Sequence, residues 1–353
     1  MSILFSPIKI KNLTLKNRIV VSPMCQYSSV DGFANNWHLV HLGSRAVGGA
    51  GLIITEATAV SAEGRISIVD LGIWKDEHQE KLKEIVDFVH ANGAAIGVQL
   101  AHAGRKASFD VPWESPTQVS KENGGWDTVA PSAIQFNPKD KMPIALDLKG
   151  IEKVKSDFKA ATLRALQVGF DVVEIHAAHG YLLHQFLSPL SNQRTDDYGG
   201  SFENRIRLLL EVVTAVQEVW PAEMPLFVRI SATDWVSGGW NEDDSVQLAK
   251  ILKERGVDVV DTSTGGLSRD QQIPVELGYQ VRFAEAIKKE TGIVTGAVGL
   301  ITSAAQSEAI LKEGKADLIF MARELLRDPY FPLRGAKELG DDVQWPSQYQ
   351  RAK

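Results

Sequence analysis

The chain has 353 residues, 44% hydrophobic and 23% charged, with a formal net charge of −6. That is enough apolar material for a large core, and the mildly acidic balance argues against nucleic acid or an anionic membrane surface as a partner. A single cysteine, Cys25, excludes a disulfide framework within the chain and a Cys-ligated zinc or iron–sulfur site.

In chain order, residues 1–7 lack the basic and long apolar regions of a signal peptide, and no apolar run reaches transmembrane length. A soluble, cytoplasmic protein is expected. Residues 8–10 and 13–15 alternate apolar and polar about Lys11-Asn12 and read as a hairpin plugging the N-terminal mouth of a barrel. Residues 18–22 form the first buried strand, and Pro23, which cannot donate to a ladder, suits its end. A helix over 37–47 stops at Gly48-Gly49. The second strand spans 51–55. A helix follows over 77–90, with Asp76 as its cap. Strand three spans 94–99. Strand four, 171–175, is rich in β-branched residues and follows Gly169. The remaining strands are placed at 226–230, 257–261, 293–296 and 316–321, with helices at 202–220, 243–255, 279–289 and 303–313.

Eight strands alternating with helices predict an α/β fold of the (β/α)8 TIM-barrel type, with an N-terminal hairpin plug. A doubly wound sheet is the alternative, disfavoured because no dinucleotide fingerprint is present. Residues 104–150 break the rhythm with Pro112, Trp113, Pro116, Gly124-Gly125, Pro131 and Pro138. They read as a long excursion after strand three, lying over the catalytic face as a lid. The expected organisation is one domain over 1–353, with the insertion 104–150 and a tail at 340–353.

In such a barrel the C-terminal strand ends carry the chemistry. They present Ser22, Pro23, Met24, Cys25 and Tyr27, then Glu56 and Ala57, Gln99 and His102, and His176, His179 and Tyr181. Arg229, Ser263, Gly296, Gly299, Ala322 and Arg323 complete the ring. There is no carboxylate pair for glycoside chemistry and no Ser–His–acid set. Gly296 to Gly299 and Ala322-Arg323 match a phosphate site: small residues let backbone N–H groups approach an anion, and Arg323 adds a charged fork. Turn glycines alone are the plainer reading.

His176-x-x-His179 admits three readings: hydrogen bonding to a substrate, a metal, or structural histidines. A metal needs a third ligand, and Glu174 is expected to point away from His176. A lone Cys25 reads most simply as a small buried apolar residue. Arg229 inside a buried strand needs an anionic or polar partner, which a bound cofactor could supply.

Longer motifs narrow these readings. Ser22-Pro-Met-Cys25 with Tyr27, Gln99-Leu-Ala-His-Ala-Gly-Arg105, His176-Ala-Ala-His-Gly-Tyr181, the stretch from Ser191 to Ser201 and Glu203-Asn-Arg205 resemble the old yellow enzyme family of FMN-dependent ene-reductases. The cysteine after Pro-Met and the adjacent Tyr27 are similar to its thermophilic-like bacterial branch. The resemblance runs from about Leu4 to Arg351.

It implies noncovalent FMN at the C-terminal face of the barrel, with NADPH or NADH as hydride donor. By this likeness Ser22, Pro23, Met24, Cys25, Ala57, Gln99 and Arg229 surround the flavin ring. Gly299, Ala322 and Arg323 take the phosphate, and Ser263 lies near the ribityl chain. The family often has glycine at the place of Ala322. Arg229 would stabilise negative charge on the reduced ring, and Gln99 offers both a donor and an acceptor. His176 and His179 would donate to the carbonyl oxygen of an unsaturated substrate, and Tyr181 would protonate the α carbon.

The implied activity is ping-pong reduction of activated C=C bonds in α,β-unsaturated carbonyl compounds. A metal-dependent barrel hydrolase using His176 and His179, or a non-catalytic binding barrel, are the alternatives. The tail from Trp345 to Arg351 holds two aromatics and an arginine, a set favoured at interfaces. In the branch resembled, an arginine at this place enters a neighbour's active site. A homodimer or a dimer of dimers, with Arg351 and Tyr27 binding substrate, is expected.

Overall fold

The computed structural model describes residues 1–114 and 117–353; Pro116 of the expected lid lies outside them. Eight parallel strands close into a barrel in chain order. They are β1 (Ile19–Val21), β2 (Leu52–Ala59), β3 (Ala95–Ala101), β4 (Val172–Ala177), β5 (Leu226–Ser231), β6 (Val259–Ser263), β7 (Val294–Ala297) and β8 (Leu318–Met321). β8 pairs back onto β1 through Ile319 with Ile19 and Met321 with Val21, which decides for a barrel against an open sheet.

Strand residues of period two divide between the two faces. Val173, Ile175 and Ala177 of β4 join the outer core under the helices, while Val172 joins an inner core. That inner core contains Leu52, Phe227, Val259, Leu318 and Phe320, together with Ile10 and Leu15 of the N-terminal hairpin (Ile8–Ile10 with Leu13–Leu15). The hairpin therefore does plug the N-terminal mouth. Above it the inward residues run apolar, charged, polar along three neighbouring strands: Val172-Glu174-His176, Phe227-Arg229-Ser231 and Val259-Asp261-Ser263. Glu174 thus shares the inner face with His176, two residues on, and the expectation that it points away is corrected by that same period.

The outer layer holds α1 (Asn36–Val47), α2 (Gln79–Ala91), α3 (Leu148–Val168), α4 (Phe202–Gln217), α5 (Glu242–Glu254), α6 (Val281–Thr291), α7 (Ala304–Lys312) and α8 (Phe331–Glu338). Side chains of Asn35, Asp147, Ser201, Asn241 and Ser303 cap α1, α3, α4, α5 and α7 by accepting from first-turn N–H groups.

The sequence reading assigns no helix between strands three and four, and α3 fills that gap. Its signals were present: Asp147 as cap, Gly169 closing it at φ +95°, and an apolar stripe through Ile151, Val154, Phe158, Ala161 and Ala165. Asp76 is not the cap of α2. It lies in a preceding 3-10 turn, and its carboxylate pairs with Arg164 at 2.7 Å.

The excursion therefore ends at α3. Within it Val129–Ala130 pairs in parallel with Ile144–Ala145, and Phe109 bridges to Ser67 and Gln118. The tail packs against the opposite end of the barrel: residues 342–348 line a groove with Lys16, Asn17, Gly49 and Gly93, at the N-terminal strand ends. Its last turn, Ser347–Ala352, sets Tyr349 edge-on to Tyr330 at 5.8 Å. No helix among the described residues is long and apolar enough to cross a membrane.

Candidate active site

β4 ends in the turn that carries the donors. His176 is the last inward residue of the strand, 3% exposed, with a buried Nδ1 that has no partner among the described residues. The chain then turns sharply: His179 has φ +58° and Gly180 φ +73°. Gly180 is required here, because a Cβ would sit 2.2 Å from the carbonyl oxygen of Gly266. The turn brings the rings of His176 and His179 to 5.2 Å, and those of His176 and Tyr181 to 5.2 Å.

The site's electrostatics keep all three groups neutral. Burial, and next the Arg229 cation, hold His176 and His179 well below the usual imidazole range. Burial pushes the Tyr181 phenol well above its ordinary value, with Cys25 as the next influence. A neutral imidazole still donates from one nitrogen, and a phenol kept protonated is a proton donor.

A second tier fixes the turn. Gly180 N–H donates to His184 Nδ1 at 2.9 Å, and His184 Nε2 lies 2.9 Å from Asp234 Oδ1, both side chains fully buried. Ser188 Oγ and Trp240 N–H donate to Asp234 Oδ2. His179 N–H donates to Ser231 Oγ at 2.9 Å, and its Nε2 lies 2.8 Å from Ser263 Oγ. Ser263 is thus a partner of His179 at Nε2.

Lys106, which the sequence reading passed over, reaches in from the start of the excursion. Its ammonium donates to the carbonyls of His179 at 2.7 Å and Gly266 at 2.8 Å, and lies 5.0 Å from the Tyr181 ring. Its neighbour Arg105 donates to the carbonyls of Ile134, Gln135 and Leu267, tying the excursion to the mouth. Trp113 of the excursion stands edge-on to Tyr27 at 5.5 Å. The adjacency of Lys106 to the Gln99–Arg105 motif was the signal that could have found it.

Beneath the donors, Gln99 Nε2 donates to Glu174 Oε1 at 2.8 Å, and Arg229 Nε lies 3.0 Å from Asp261 Oδ2 without hydrogen-bond alignment. Ser22 Oγ is buried with no partner among the described residues. Cys25 is half-buried and hydrogen-bonded to Tyr27; burial, then the charges of Asp70 and Glu56, push its thiol well above the usual range. Pro23 and Met24 precede it in the chain, and Ala57 of β2 is buried beside Gln99 of β3 in register.

At the far rim Gly299 has φ +123°, and a Cβ there would lie 3.0 Å from Gln280 Nε2. At Gly296 a Cβ would meet the Phe320 ring at 2.3 Å, so packing also requires a glycine there. Ala322 precedes a short helix, Arg323–Arg327, and Arg323 is exposed with no hydrogen bond or ion pair among the described residues. His102 is buried and accepts from Gly104 N–H, a structural role. Arg351 is exposed on the tail. His176 and His179 are not joined by a third metal-binding side chain among the described residues.

These residues fit a flavin. A buried Ser22 hydroxyl with no partner among the described residues, the Gln99 amide and the Arg229 guanidinium lie at the C-terminal strand ends, and Gly299 gives a left-handed backbone in the loop after β7. Fold and donor set define the class, a barrel oxidoreductase working on a bound flavin.

Residues 3–342 match the model of the NADH:flavin oxidoreductase / NADH oxidase family. An NADPH dehydrogenase of Bacillus cytotoxicus is 53% identical over 351 residues, covering 99% of this chain and 96% of that one. Among solved structures, morphinone reductase in complex with tetrahydroNAD matches at TM-score 0.80 and 31% identity, covering 98% of this chain and 92% of that one. The old yellow enzyme homologue from Zymomonas mobilis matches at TM-score 0.81 and 29% identity, covering 98% and 95%. The chain also matches 2-naphthoyl-CoA reductase at TM-score 0.86 and 26% identity, covering 96% of this chain but spanning 52% of that longer one. The chain belongs to the NADH:flavin oxidoreductase / NADH oxidase family, the old yellow enzymes, whose cofactors are FMN and NAD(P)H.

Proposed function

We propose that this flavin oxidoreductase takes a hydride from NADPH or NADH and passes it to the electron-poor C=C bond of an α,β-unsaturated carbonyl compound, the two substrates taking turns at one site. The observation that carries this is the convergence of His176, His179 and Tyr181 at one strand end, all neutral, two as hydrogen-bond donors and one as a protonated phenol. Bound FMN would supply the hydride carrier.

The remaining work belongs to the protein. His176 and His179 would hold the substrate carbonyl oxygen and stabilise the charge that develops on it, an interaction whose loss costs roughly 2–4 kcal/mol in oxyanion sites. Tyr181 would deliver the proton to the α carbon. Gln99 and Arg229 would grip the polar edge of the flavin ring, with Ser22, Pro23, Met24, Cys25 and Ala57 around it. The Gly299 backbone, Ala322 and Arg323 would hold the phosphate. Ser263, given its bond to His179, is read as a positioning partner of that histidine. Tyr27, held between Cys25 and Trp113, would line the substrate side.

The closed barrel supports reading residues 1–353 as one FMN-binding domain, with the insertion as a cover. The tail's placement at the opposite end of the barrel supports an Arg351 that serves a partner's site, hence a homodimer or dimer of dimers.

A visible spectrum tests the core of this reading. Purified protein is expected to show flavin bands that NADPH bleaches without oxygen and an enone restores. A colourless, flavin-free protein would sink it.

A further inference from the structure

Glu174 and Asp261 lie inside the barrel on the strands either side of Arg229 and have no part in the chemistry above. Both are fully buried, and Arg229 is 5% exposed. Asp261 Oδ2 is 3.0 Å from Arg229 Nε, and Asp261 stands opposite Arg229 in the register of β6 and β5. Glu174 Oε1 accepts from Gln99, while Glu174 Oε2 and both oxygens of Asp261 have no hydrogen-bond partner among the described residues.

Two carboxylates against one guanidinium would leave an uncompensated negative charge among buried side chains. The groups facing them do not supply it. Gln99 on β3 is neutral, His176 on β4 is held neutral, and the layer below is the apolar Val172, Phe227 and Val259. One proton therefore belongs to the pair, and the two groups titrate together. Burial, then repulsion from Asp261, raises Glu174 to about 8 against the pull of Arg229, and burial raises Asp261 to about 6. The pair is poised to change protonation near neutrality.

We propose that Glu174 and Asp261 act as a proton reservoir for the flavin, binding one solvent proton when a hydride has been delivered above Arg229 and releasing it when the hydride leaves for the second substrate. This rests on the flavin ring lying over Gln99 and Arg229, as proposed above. The balance closes. A hydride brings two electrons and one proton, and so adds one negative charge beside Arg229. Arg229 then divides its attraction between that charge and Asp261, and the carboxyl pair gains affinity for a proton. The proton enters a carboxyl O–H bond and returns to solvent when the added charge departs. Over a full cycle the pair consumes nothing.

The test is the pH dependence of the flavin midpoint potential in the holoenzyme, by spectroelectrochemistry between pH 6 and 8. For a two-electron couple, each proton taken up contributes about 30 mV per pH unit, the tenfold change in proton activity converted to potential. Wild type is expected to show two such increments, and the double variant Glu174→Gln, Asp261→Asn one, with flavin bands retained. A one-proton slope in wild type overturns the proposal, as does a two-proton slope that survives in the double variant. Should the double variant fail to hold flavin, the reduced-minus-oxidised infrared spectrum of wild type decides. A new carboxyl C=O band supports the reservoir, and its absence overturns it. Protein that carries no flavin removes the functional reading and this inference together, whereas flavin with a one-proton slope removes the inference alone.

Discussion

Lys106 Nζ donates to the backbone carbonyl of His179 at 2.7 Å, so a side chain from the excursion clamps the turn that carries the donors. A second bond, to Gly266 O at 2.8 Å, ties the same ammonium to the loop after β6. Two such hydrogen bonds contribute about 0.5–1.5 kcal/mol each even from a neutral amine. Lys106→Met is therefore expected to lower enone turnover by about tenfold or more at unchanged flavin content. Burial, then Arg105, lowers Lys106 to about 7. The unfolded chain thus binds the extra proton between pH 7 and the ordinary lysine value, and this lysine's cost to stability fades as pH rises through that window. Thermal melts at pH 7 and 9.5 should show wild type gaining on Lys106→Met at the higher pH. Turnover within twofold of wild type would show that the clamp is dispensable.

His176→Ala and His179→Ala should each weaken enone and phenol binding by roughly 2–4 kcal/mol, while flavin reduction by NADPH suffers less. Because both imidazoles are held well below their ordinary value, enone binding should be flat between pH 6 and 8. The sign for stability is the reverse of a paired histidine: the unfolded chain takes up protons that the fold refuses. Stability therefore falls as pH drops below about 6.5 and is intact above it. An imidazole titration in the enone binding curve would exclude the neutral pair.

Gly299→Ala forces a Cβ into left-handed backbone at φ +123° and against Gln280. Strain of this kind costs of order 1–3 kcal/mol. Arg323→Ala removes an exposed cation with no hydrogen bond or ion pair among the described residues. Both variants should release FMN more readily on dialysis than wild type, measured by flavin fluorescence in the dialysate, and the released flavin should be FMN and not FAD. Wild-type retention in both would move the phosphate elsewhere.

Cys25 is held as a thiol by burial and by Asp70 and Glu56, and Tyr27 bonds its sulfur. It should alkylate more slowly at pH 8 than an ordinary free thiol, whose reactivity follows its thiolate fraction. Cys25→Ser should shift the flavin midpoint potential and leave the melting temperature within a few degrees. An unchanged potential would reduce Cys25 to packing.

Arg351→Ala should raise the apparent KM for enones without altering flavin content, and removal of residues 345–353 should loosen a dimer. Sedimentation of the wild-type protein as a monomer, or full activity after the deletion, would exclude sharing of Arg351 between subunits.

Much of this site was legible in the sequence because its parts are local. His176, His179 and Tyr181 lie within six residues, and the strand that precedes them announces itself by β-branched residues. The barrel followed from the alternation of such strands with amphipathic helices. α3 was missed despite its cap and stripe, because the Pro- and Gly-rich run before it masked the change of period at Asp147. What no local pattern held was convergence. Glu174, Arg229 and Asp261 lie in three strands well separated along the chain, and only the register of β4, β5 and β6 brings their inward faces together. The same closure sets Ser263 against His179 and Lys106 beneath the turn. Period two tells which face a residue takes, whereas its neighbour across the barrel is set by the stagger of strands, which the packing of the whole ring decides.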